Sequence, residues 1–144
     1  MPQHLIKLCV GAESVEDLTG WIAERMAARR KGGRPLEQVH TTRQQPKRSA
    51  EILGGGSLYW VIKGVIQCRQ QIRDLRPIVD TDGIPRCEIV LEPVVHLVTP
   101  RPRGPFQGWR YLSAADAPPD LTAADAGGDL PIDMRRDLAE LGLL

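Results

Sequence analysis

The stretch Leu58–Arg73, LYWVIKGVIQCRQQIR, decides the fold. Its first half, Leu58–Val65, is crowded with aromatic and β-branched residues that fit a pleated, half-buried surface, and it predicts a strand. Tyr59 and Trp60 are neighbours in it and therefore point to opposite faces, one to the core and the other to the border of a pocket. From Ile66 the pattern alternates. Ile66, Cys68 and Ile72 turn inward, while Gln67, Arg69, Gln71 and Arg73 turn outward. Asp80-Thr81-Asp82-Gly83 is a turn signal, and Cys87, Ile89 and Leu91 alternate on the return strand. Pairing around that turn sets Arg73 near Glu88 and Glu92, where opposite charges stabilise a strand pair.

Upstream, Gly54-Gly55-Gly56 precedes a strand and lacks the Lys-Ser/Thr of a phosphate loop, so it reads as a turn. Pro46 suits the first position of a short helix over 47–53. The segment 34–45 is a basic connector with room for one short strand. His4–Val10 (HLIKLCV) is apolar on most of both faces and predicts a central strand. Ser14 with Asp17 three residues later forms a capping-box pattern. Val15, Leu18, Ile22 and Met26 mark one face of a helix running to about residue 30. The cations closing it, Arg25, Arg29, Arg30 and Lys31, complement the carboxyl end of the helix dipole.

Downstream, Pro93, Pro100, Pro102 and Pro105 punctuate a region with strands expected at Val94–Val98 and Gly108–Leu112. Ser113–Gly128 is rich in Ala, Asp, Pro and Gly and reads as a linker, followed by a short helix over Pro131–Leu141. The expected organisation is one α+β domain over 1–112 and an acidic linker with a short helix over 113–144.

At 144 residues with 42% hydrophobic content, the chain supports one real core. No apolar run approaches the roughly 18 residues of a membrane span. The first ten residues lack signal-peptide features, so the expected compartment is the cytoplasm. Cys9, Cys68 and Cys87 are widely spaced and form no zinc pattern, and they read as buried reduced thiols. His4, His40 and His96 stand on separate elements without a metal or triad motif. The sequence therefore implies no metal, no cofactor and no catalytic residue.

Charge is distributed unevenly. Residues 25–110 carry sixteen Lys and Arg against seven Asp and Glu, while both ends are acidic. A basic middle of this kind suits a polyanion. Two segments stand out. Arg43, Lys47 and Arg48 lead into a helix N-terminus, whose free N–H groups suit a phosphate. Residues 101–111 interleave Arg101, Arg103 and Arg110 with Phe106, Trp109 and Tyr111, combining phosphate-binding forks with faces that stack unpaired bases.

The strings HLIKLCVG (4–11), PKRSAEILGGGSLYWVIKG (46–64) and PFQGWRYL (105–112) resemble an alphaproteobacterial domain family of unknown function, over nearly the whole chain up to Pro119. A looser resemblance concerns fold. A strand with a central lysine, an acidic-capped helix, a basic loop, a short helix, a glycine turn and an aromatic strand occur in that order. The order is similar to the EVE and ASCH branches of the PUA-like superfamily. It implies a small, mostly antiparallel β-barrel with flanking helices that binds RNA or modified bases.

The expectation is thus a non-enzymatic module for RNA, more than for DNA, with no membrane association. Arg43, Lys47, Arg48, Arg101, Arg103 and Arg110 hold phosphates. Trp60, Phe106, Trp109 and Tyr111 stack or border a pocket, with Lys7 and Lys63 as its polar groups. The alternatives are an enzyme acting on nucleotides or phosphorylated metabolites, with Asp74 or His40 as acid or base, and a protein-interaction module using the proline-rich 100–105 segment.

Overall fold

A computed structural model describes residues 3–121. The elements are β1 (His4–Leu8), α1 (Val15–Lys31), β2 (Gln38–Thr42), α2 (Ser49–Leu53), β3 (Ser57–Ile62), β4 (Val65–Val79), β5 (Pro85–Leu91), β6 (His96–Pro102) and β7 (Trp109–Leu112). The domain is α+β, as expected. Its seven strands run in the order β2-β5-β4-β3-β1-β7, with β6 also paired to β4. β1 and β3 are parallel and all other pairs are antiparallel.

The sheet does not close into the expected barrel, since β2 and β7 end the path without pairing. It folds through β4 instead. The first part of that 15-residue strand pairs with β3 and β6, and the second part with β5. Irregularities between Ile66 and Cys68 and between Ile72 and Asp74 accompany the change of partner, and such bulges bend a strand.

The helix over 15–31 forms as its pattern predicts. Ser14 accepts from the Asp17 N–H, and Leu18, Ile22 and Met26 are buried. Asp17 in turn accepts from the Glu13 N–H at 2.9 Å, one residue earlier than a standard capping box.

Three sequence expectations change. The strand expected over 58–65 is two strands, because Lys63 and Gly64 both have positive φ (51° and 73°). Two such residues between Ile62 and Val65 make a two-residue hairpin turn whose twist matches the strands. β6 extends through Pro100 to Pro102, beyond the strand end expected at Val98, and pairs with β4. The segment 113–121, read as the start of a linker, folds back on β6. Thr99 N–H donates to Pro119 and Leu121 N–H to the Leu97 carbonyl. The helix expected at 131–141 lies outside the described residues.

Two cores result. One face of the β1/β3/β4/β7 sheet buries Leu5, Cys9, Leu58, Trp60, Ile62, Cys68 and Trp109 against α1, α2 and β5. The other buries Ile6, Tyr59, Val61, Ile66, Val98 and Leu112, with Phe106 and Ala117 against them. Ile66 therefore belongs to the second core, while Cys68 and Ile72 belong to the first. The expected pairing of Arg73 is found with Glu92, at 3.5 Å. Glu88 lies opposite Arg76 because the register shifts beside Arg73.

Candidate nucleic-acid interface

Lys7 lies at the middle of the site. Its register partners are Trp60 on β3 and Trp109 on β7, so all three side chains share one sheet face. From β2, His40 meets the Trp60 ring edge-on, with centroids 5.4 Å apart. Burial, then the charges of Lys7 and Arg25, push the His40 imidazole down to about 4, so it is neutral at physiological pH. Burial also lowers the Lys7 pKa. Lys7 is half-buried and has no ion-pair or hydrogen-bond partner among the described residues.

His40 also lines a cleft of about 360 Å³. Arg25 and Arg29 from α1 and Arg34 from the following loop line it. Arg29 donates to the Pro35 carbonyl, and Glu37 is engaged by Arg76 at 2.8 Å. Arg25 and Arg34 are exposed without an ion-pair partner among the described residues. Sequence reasoning assigned the α1 cations to the helix dipole alone. Their convergence on His40 depends on how β2 crosses α1, which no local pattern reveals.

The two tryptophans are core residues. Trp60 is 2% exposed and Trp109 7%. The Trp60 indole N–H is taken by Gln70 at 2.9 Å. The Trp109 N–H donates to the Gln44 carbonyl at 2.9 Å, pinning the 42–47 loop to β7. Neither presents a ring face for stacking. Tyr111 is exposed, but its hydroxyl accepts from the Lys47 and Arg48 N–H groups. It fills the position before α2 where the sequence suggested a phosphate. Arg48 pairs with Glu51 and lies over the Tyr111 ring. The Arg43 and Lys47 side chains are exposed, without ion-pair partners among the described residues.

The 101–111 segment does not act as one strip, because strand alternation splits it. Trp109 and Tyr111 share the Lys7 face, whereas Arg110 lies opposite Ile6 and Arg101 opposite Ile66, on the other face. There Arg103 and Arg110 lie over Phe106, at 5.2 and 5.7 Å from its centroid. Arg101 donates to the Asp116 carbonyl. Lys63 sits in the exposed hairpin turn beside Glu13 at 3.7 Å. Asp74 is held by Arg76 on β4.

The three cysteines are buried and free. Burial pushes the Cys9 and Cys87 thiols up to about 11 and Cys68 higher still, so all three are protonated at neutral pH. No helix among the described residues is long and apolar enough to cross a membrane.

With this arrangement established, comparison with known proteins assigns the chain by family. A family model described as "Protein of unknown function (DUF1489)" matches residues 5–144. The chain belongs to the DUF1489 family. No curated protein and no solved structure matches it. The DUF1489 match spans Lys7 on β1, the α1 arginines, β2 with His40 and the strap after β7.

Proposed function

We propose that this chain is a PUA-like module that binds RNA without catalysis, seating an unpaired or modified base beside Lys7 and His40. Its phosphates lie along Arg25, Arg34, Arg43 and Lys47. The observation that carries this reading is Lys7. A half-buried cation between two buried tryptophans, with no carboxylate paired to it among the described residues, is costly unless an acceptor-rich ligand completes it. Neutral His40 offers one donor and one acceptor, the set needed to read a base edge. The exposed arginines around the recess supply attraction to the backbone. The high thiol pKa values favour binding over cysteine chemistry. The cations Arg101, Arg103 and Arg110 lie on the other face and are outside this contact.

The reading is tested by purifying the protein from its own cells and treating the bound material with ribonuclease. Ribonuclease-sensitive nucleic acid that is lost in Lys7→Gln supports it. A phosphorylated metabolite or a protein in its place favours the enzyme or the interaction module.

A further inference from the structure

On the sheet face opposite Lys7 lies a second polar cleft of about 380 Å³, lined by His4, Ser57, Tyr59, Arg69, Gln71 and Asp120 among others. Several donors converge there. Nδ1 of His4 accepts from the Ser57 N–H at 3.0 Å. Burial, then Arg69, lowers the His4 pKa and keeps the ring neutral, so its one proton sits on Nε2. His4 is 8% exposed, and its Nε2–H has no partner among the described residues. Tyr59 is 4% exposed, meets His4 edge-on at 5.2 Å, and its hydroxyl likewise has no hydrogen-bond partner among them. Ser57 Oγ accepts from Arg69 Nη1 at 2.9 Å, which leaves its own proton to donate. The remaining edge of Arg69 grips both oxygens of Asp120, each at 2.7 Å.

Buried polar groups are nearly always hydrogen-bonded. Two nine-tenths-buried donors without partners among the described residues, beside a guanidinium fork and a hydroxyl, suit a ligand bearing several acceptor oxygens. The Asp120 carboxylate already occupies the fork as such a ligand would. It sits on the strap after β7, joined to β6 by the Val98–Asp120 bridge, and its side chain is 47% exposed. We propose that His4, Ser57, Tyr59 and Arg69 form an oxyanion site for a phosphate monoester or carboxylate group, which displaces Asp120 from Arg69. The site is independent of the Lys7 recess, since the sheet lies between them.

The test titrates the full chain with inorganic phosphate and, separately, with acetate, read by calorimetry. Asp120→Ala is expected to bind the preferred anion about fivefold tighter than the unmodified chain, the worth of releasing a partly exposed ion pair. Adding Arg69→Gln removes binding. Tighter phosphate than acetate assigns a phosphate monoester, and the reverse a carboxylate. Tyr59→Phe, which deletes a hydroxyl without an internal partner, leaves Tm unchanged and weakens the anion. The proposal is overturned if Asp120→Ala binds neither anion, or binds no tighter than the unmodified chain. It is equally overturned if Tyr59→Phe lowers Tm and leaves anion affinity untouched.

Discussion

The phenol oxygen of Tyr111 lies 3.0 Å from the amide nitrogen of Lys47 and 3.3 Å from that of Arg48. A residue from β7 thus closes the approach to α2, a helix whose N-cap Arg48 makes no side-chain capping bond. Tyr111→Phe keeps the ring under Arg48 and removes only the acceptor. It should cost about 1 kcal/mol, as for a lost cap. Thermal melting measures that loss, and faster amide exchange confined to Lys47 and Arg48 locates it.

His40 links stability to pH. Its folded pKa of about 4 lies below the ordinary 6.5, so the unfolded chain binds the proton more readily. The resulting stability is complete above about 6.5 and is lost as pH falls toward about 4. Denaturant titrations across that window should show a decline that His40→Gln flattens. Equal declines in both proteins would place the effect elsewhere.

Gly56 is required by close approach. A Cβ there would run into the Gln3 carbonyl oxygen and stand 2.6 Å from that of Ile52. Both obstacles are backbone and cannot swing aside. Gly56→Ala should destabilise by about 2–3 kcal/mol through overpacking, whereas Gly104→Ala, where no atom stands within 4 Å, should be near neutral. Melting temperatures of the pair compare the two directly.

Gln70, fully buried, accepts from the Trp60 indole and donates to the Gln38 side chain and the Glu92 carbonyl. Gln70→Leu strands those groups and should cost about 1–3 kcal/mol. Chemical denaturation checks the magnitude, and Trp60 fluorescence reports the lost partner.

Local signals in the sequence carried the elements well. The capping pattern at Ser14 and the apolar face at Leu18, Ile22 and Met26 gave α1, and the aromatic run gave β3. Lys63-Gly64 was hidden inside an apolar run, because a lysine at positive φ has no strong signature. The candidate site was only half legible. Lys7, Trp60 and Trp109 are legible as residues, and register sets them side by side, yet both tryptophans are buried in the core. Arg25 and His40 became neighbours through tertiary packing, which sequence spacing does not encode. Strand alternation, a signal already present in the 101–111 segment, could have separated Trp109 and Tyr111 from Arg110.

The central claim is that phosphates lie along Arg25, Arg34, Arg43 and Lys47. Its most direct measurement is the salt dependence of affinity for a short single-stranded RNA. The unmodified chain should bind at low salt, with affinity falling steeply as salt rises. Each phosphate contact removed should shrink the log–log slope by about 0.7, so Arg25→Ala with Arg34→Ala and Lys47→Ala should shallow it by about 2. Arg101→Ala with Arg103→Ala, on the other face, should leave it unchanged. An unmodified chain that binds no RNA at low salt, or a triple variant that keeps the full slope while folded, would contradict the account.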